Sequence, residues 1–145
     1  MPELTLDLAE RIADEALAEG RRVGAAPLTV VVLDPGGHVK VAKRSDGSGI
    51  LRVEIAHGKA YGALGMGLPG RALANRAAQN PTFFTALAAV SSGRMVPVPG
   101  GVLIRDGAGR LLGAVGISGD TSDKDEDCAV AAIRAAGLVA DTELR

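Results

Sequence analysis

Apolar residues recur every three to four positions between residues 5 and 24. Leu8, Ala9, Ile12, Ala16 and Val23 fall on one face, and Asp7, Glu10, Arg11, Asp14, Arg21 and Arg22 lie away from it. That spacing predicts an amphipathic helix resting on a core. Thr5 or Asp7 is placed to cap its start, and Pro27 stops it. The period then changes to two. LTVVVLD (28–34) and HVKVAKR (38–44) flank Asp34-Pro35-Gly36-Gly37, the pattern of a β-hairpin. The first strand is apolar almost throughout, so burial on both faces is expected. In the second, Val39 and Val41 are expected inward, with His38, Lys40 and Arg44 outward.

Residues 50–66 read as a second helix despite Gly58 and Gly62. Each interior glycine costs up to about 1 kcal/mol relative to alanine. Both lie on one side with Leu51 and Ile55, which predicts a neighbour packed close there. Short helical pieces follow, broken at Pro69-Gly70 and Asn80-Pro81. PVPGGVLIRD and GRLLGAVGIS form a second hairpin around Asp106-Gly107-Ala108-Gly109, and a last helix begins near Ser122. No linker, low-complexity tract or tandem repeat interrupts this order. Helix, hairpin, helices, hairpin, helix predicts one α+β domain over residues 1–145, an antiparallel sheet covered by helices.

Composition narrows the choice of function. A chain of 145 residues can bury roughly 70% of its unfolded surface. Only Tyr61, Phe83 and Phe84 are aromatic, so the core must be built from Val, Leu, Ile and Ala, with Gly allowing close approach. A net charge of -1 with scattered Lys and Arg makes no basic stripe, which argues against nucleic acid. No apolar run is long enough to span a bilayer, and the first residues lack a signal-peptide pattern. Cys128 is alone, so neither an intramolecular disulfide nor a multi-cysteine metal cluster is expected. A cytoplasmic protein without a metal site is the expectation.

The polar chemistry gathers in two places. Ser122-Asp123-Lys124-Asp125 fits a capping box, and carboxylates suit a first helical turn. Asp127, Arg134 and Asp141 recur every seven residues and are expected to face solvent. Asp125 lies opposite them, above Ala129, Ala132 and Ala136, on the face expected to pack. A buried carboxylate needs a partner. Lys59 is the leading one, either as an internal ion pair or as the other wall of a polar pocket, and Glu126 is the second carboxylate of interest. An EF-hand fails, because Cys128 and Arg134 stand where Gly and Glu are required. The glycines 113, 116 and 119 make neither a dinucleotide fingerprint nor a P-loop. On the second helix, Glu54, His57 and Tyr61 share a stripe, and Arg52 and Lys59 share another. Glu54 could orient His57 as a general base, or the two could be an ordinary exposed pair. Gly100-Gly101 is either a plain turn or a place where backbone approaches a ligand.

Three stretches carry a resemblance over nearly the whole chain: VVVLDPGGHVKVAKRSDG (30–47), RVEIAHGKAYGALGMG (52–67) and PGGVLIRDGAGRLLGAVGISGDTSDKDEDCAVAAIRAAGL (99–138). Together they resemble the GlcG/HbpS family, labelled heme-binding or heme-degrading and related to the C-terminal domain of PduO-type proteins. The resemblance implies a profilin-like α/β/α sandwich with about five antiparallel strands, and frequent homo-oligomers. It also makes heme the implied cofactor. An axial ligand would come from His38, His57, Tyr61, Met66 or Cys128, and no C-x-x-C-H attachment motif exists.

Two functions are therefore expected in competition. One is binding of heme, or of another planar or anionic metabolite, near subunit contacts by Arg52, Lys59, Tyr61, Gly100, Gly101, Asp125 and Glu126. The other is a cofactor-independent enzyme acting on a small catabolic intermediate. In it His57, oriented by Glu54, moves a proton while Arg52 or Lys59 holds a carboxylate or enolate. A purely structural subunit is the third reading.

Overall fold

A computed structural model describes residues 3–145; Met1 and Pro2 lie outside it. Helix α1 (Leu6–Arg22) starts where Thr5 accepts a hydrogen bond from the Leu8 N–H at 3.1 Å. It ends at Val23 and Gly24, whose φ of +70° turns the chain before Pro27 is reached. Strands β1 (Thr29–Leu33) and β2 (Val39–Arg44) form the first hairpin. Helices α2 (Arg52–Met66), α3 (Gly70–Gln79) and α4 (Pro81–Val90) follow. Strands β3 (Gly101–Arg105) and β4 (Leu111–Ser118) form the second hairpin. Helix α5 (Ser122–Ala135) leads into the short strand β5 (Val139–Asp141). The sheet is antiparallel throughout, in the order β2-β1-β4-β3-β5. Five helices on one five-stranded open sheet make the α+β architecture that the alternation of periods predicts. No helix among the described residues is long and apolar enough to cross a membrane.

The two sides of the sheet are packed differently. Val30, Val32, Val102, Ile104, Val115 and Ile117 meet Ala9, Ile12, Ala13, Ala16, Ala129 and Ile133 of α1 and α5. On the other side Val31, Leu33, Leu103 and Ala114 meet Ala56, Ala60 and Ala63 of α2. Small residues let α2 lie almost on the strands. A Cβ at Gly116 would strike the Ala56 carbonyl, and one at Gly101 would strike the Lys59 backbone. Dense aliphatic packing of this kind replaces the bulk that aromatic side chains usually supply.

Four local expectations are corrected. The strand pairing shifts between Val32 and Leu33, so Val41 faces Val32 and Val39 faces Leu33. That bulge puts the two valines on opposite sides of an edge strand, and Val39 is exposed. Thr121 rather than Ser122 caps α5, accepting from the Lys124 N–H at 3.3 Å. Pro27 does not end α1, since Gly24 does so first. Asp141 is not on a solvent-facing helical stripe, because the helix stops at Ala136 and Gly137 reverses the chain with φ +80°. It is buried in β5 and holds Arg105 at 2.8 Å and Arg145 at 2.8 Å.

Candidate functional site

Lys59 leaves α2 on one side of the sheet and ends against α5 on the other. Its path runs past Gly100, where a Cβ would stand 2.8 Å from Nζ, so only glycine leaves the passage open. The ammonium donates to the Ile117 carbonyl at 2.9 Å and to Asp125 Oδ2 at 3.1 Å. Lys59 is 3% exposed and Asp125 1%. Asp125 Oδ1 also accepts from the Asp120 N–H at 3.1 Å. Burial pushes the lysine pKa down and the carboxyl pKa up, each against the attraction of the other. A second link runs alongside. Arg71 of α3 donates to Glu126 at 3.0 and 3.2 Å and to Asp123 at 2.6 Å. Arg52 meets the buried Ser118 hydroxyl at 3.0 Å. These contacts clasp the two helical layers together around the strand ends.

The outer side of α2 carries a different group of residues. The rings of His57 and Tyr61 stack with centroids 5.6 Å apart and planes 18° apart. The Arg94 guanidinium lies 4.3 Å from the Tyr61 ring centroid, a cation–π distance. Two glycines on α2 create this arrangement. The Arg94 carbonyl and Val96 fill the space above Gly58, and Met95 fills that above Gly62. The Val96 N–H donates to the Gly58 carbonyl at 3.1 Å, fixing the segment. Gly65, one turn on, has open space above it. A cleft of about 180 Å³ opens there between Tyr61, Gly65 and Met66 of α2 and Leu87 and Val90 of α4, with Ser91 and Met95. A second, of about 130 Å³, lies on the Leu64 side against Pro35–Gly37. Desolvation, aided by the positive charge of Arg94, holds the His57 pKa below its ordinary value. The shift favours the neutral imidazole, whose free ring nitrogen can accept a proton.

A family model described as "Haem degrading protein HbpS-like" matches residues 4–134, nine-tenths of the chain. The chain belongs to the HbpS-like family. Solved structures agree with that assignment. The chain is similar to a double mutant of HbpS from Streptomyces reticuli, at 29% identity and TM-score 0.80, over 93% of this chain and 88% of that one. It is similar to PduOC, solved as a heme complex, at 25% identity and TM-score 0.84, over 94% and 97%. Klebsiella pneumoniae protein ORFY shares the fold at 22% identity and TM-score 0.83, over 94% and 93%. Among curated proteins, none matches closely enough to count as a relative.

Within this HbpS-like chain the sequence-predicted residues fall into two separate groups. Arg52, Lys59, Gly100, Gly101, Asp125 and Glu126 come together at the strand ends, where Lys59 pairs with Asp125 and Glu126 with Arg71, the two glycines are closely packed, and Arg52 meets the neutral Ser118 hydroxyl. His57 and Tyr61 come together on the outer side of α2. Glu54 is exposed beside them, and no hydrogen bond joins it to His57 among the described residues. His38 sits in its hairpin turn with Asp34 at 3.2 Å, and Cys128 is buried in the core with its thiol pushed up to about 11. Met66 borders the larger cleft. Sequence reasoning missed Arg71 and Arg94. For Arg94 a signal existed: the glycines of α2 announced a close neighbour, although nothing named it.

Proposed function

We propose that this protein binds heme, or another flat anionic metabolite, at the cleft beside Tyr61, as a cytoplasmic homo-oligomer. The observation that carries the reading is the stack of His57, Tyr61 and Arg94 on the outer side of α2. It sets an imidazole, a phenol ring and a guanidinium beside apolar walls, which suits a planar ligand with an acidic edge. The heme-bound relative PduOC supports the ligand class.

The donor set fits heme. When bound, the iron would supply whatever redox or oxygen chemistry follows, and this chain's residues would hold the group. Tyr61, which lines the cleft, or His57 stacked on it would hold the iron, Leu87, Val90 and Met95 would cover apolar edges, and Arg94 over the Tyr61 ring would meet an acidic one. Clefts of about 180 and 130 Å³ lie below the roughly 300 Å³ of ordinary small-molecule sites. One chain thus supplies a wall, and a second copy completes the enclosure. Exposed Phe83 and Val90 on α4, a helix without a charged residue, support that assembly.

Titrating the purified apo-protein with hemin tests the proposal. A saturable Soret shift, altered in His57→Ala or Tyr61→Phe, is expected; absence of saturable binding by the wild type would overturn it. The enzymatic alternative, in which Glu54 orients His57, draws on the depressed imidazole pKa alone and lacks the orienting hydrogen bond.

A further inference from the structure

We infer that Arg94 is the carboxylate anchor of the Tyr61 cleft, so that the ligand is selected as an acid and not merely as a flat apolar molecule. This rests on the proposed binding function and adds the group that reads the ligand's charge. The backbone around Arg94 is fixed from several directions. The Ser91–Gly93 turn takes left-handed angles at Ser92 (φ 57°) and Gly93 (φ 74°), and the Met95 N–H donates to Ser91 Oγ at 3.2 Å. Arg94 then docks its carbonyl against Gly58. Its Nε donates to the Ser91 carbonyl at 3.0 Å, and its guanidinium rests on Tyr61.

What this arrangement leaves over is the terminal pair of guanidinium nitrogens. Among the described residues they meet no carboxylate; Arg21, Lys40, Arg44, Arg52 and Arg110 share that state, and Arg94 differs from them in lying over the Tyr61 ring with its Nε tied to the Ser91 carbonyl. Arg94 is exposed, so packing on Tyr61 alone would be a modest contact. A planar fork held at a fixed place beside an apolar cleft matches a carboxylate in two-point geometry, and little further ordering is needed on binding. The apolar cleft takes the body of such a ligand and the fork takes its acidic edge.

Protoporphyrin IX and its dimethyl ester, in the same mild detergent, separate the two features, with binding read from porphyrin fluorescence. Wild type is expected to bind the diacid roughly tenfold or more tightly than the diester, the usual scale for a hydrogen bond to a charged group. Arg94→Gln should weaken only the diacid and bring the two ligands level. Arg94→Lys, which keeps the charge without the fork, should recover part of the difference, and unchanged thermal unfolding would show each variant folded. Equal binding of both ligands by the wild type would overturn the inference while leaving the binding function standing. A diacid preference that persists in Arg94→Gln would also overturn it, since another group would then read the carboxylate. Failure of both porphyrins to bind the wild type would remove the proposed function and this inference with it.

Discussion

Removing Lys59 from its buried pair should be among the most damaging single changes in this protein. In Lys59→Met the Asp125 carboxylate stays 1% exposed, with the Asp120 N–H as its remaining donor. Breaking a buried ion pair from one side typically costs about 3–5 kcal/mol, because the other charge is left without compensation. Total stabilities of such domains are only about 5–15 kcal/mol, so the loss is a large fraction. For a chain near 150 residues it corresponds to a fall in Tm on the order of 6–20 °C. Asp125→Asn should also destabilise, since Lys59 and the Asp120 N–H use different carboxylate oxygens and an amide offers only one acceptor, leaving the buried ammonium without its counter-ion. The double change Lys59→Met with Asp125→Leu should recover most of the loss, because two apolar side chains bring no uncompensated charge.

The Lys59→Met penalty should depend on pH in a defined direction. Burial already raises the Asp125 pKa above the ordinary value, and loss of Lys59 raises it further. The folded state then binds more protons than the unfolded state between the ordinary value near 4 and the raised one. Stability is highest below about pH 4 in that accounting, and it falls as pH rises through the folded pKa. Urea unfolding at 25 °C, followed by circular dichroism from pH 4 to 8, measures both effects. A Lys59→Met loss below about 1 kcal/mol at pH 7, or a double variant no better than the single, would refute the reasoning.

Other consequences can be checked on the same footing. Gly58→Ala forces a methyl against the Arg94 carbonyl and should cost about 1–3 kcal/mol, measured by urea unfolding. The Cys128 thiol, buried and pushed up to about 11, should react with a thiol reagent at pH 8 only at the rate of unfolding. Asp141, held well below the carboxylate range by its hydrogen bonds to Arg145 and Arg105, contributes stability above pH 4 that is lost as pH falls through its folded value. Asp141→Asn should therefore be less stable than wild type at pH 7 and should lose less on acidification, which urea midpoints between pH 7 and 2 would show.

The elements that read clearly from the sequence are those whose burial is one-sided or complete over many residues. The 3.6-residue period of α1 and the unbroken Thr29–Leu33 run left little choice, and both appear almost where expected. Strand β5 has three residues and no period to read, so it was invisible. The β2 bulge was hidden for a related reason: alternation along an edge strand is weakly enforced when one side faces water. The site divides in the same way. An inward Asp125 with Lys59 could be anticipated because an unpaired buried charge is so costly. Arg94 could not be named, because its place is set by Gly58 and Gly62 on a helix some thirty residues earlier, and such contacts leave no local pattern.

The placement of the aromatic residues carries a last argument about function. The buried core is aliphatic apart from Cys128, and the three aromatic residues stay at its margin: Tyr61 and Phe84 pack against it partly buried, and Phe83 is exposed. Tyr61 lines both clefts, and Phe83 and Phe84 lie on α4 beside a third, of about 530 Å³, against α3 and residues 144–145. Aromatic side chains are the most effective way to bury area, so a core that does without them leaves those present to surfaces that recognise something else. A stabilising role would place them inside. Truncating Tyr61 to alanine should therefore cost at most about 1.5 kcal/mol, the value of its stacking and cation contacts, against the roughly 2–5 kcal/mol expected for buried Leu103→Ala. The same Tyr61 variant should lose most of its affinity for porphyrin in a direct titration. A Tyr61→Ala protein as destabilised as Leu103→Ala would show that the ring serves the fold, and the cleft beside it would lose its main support as a binding surface.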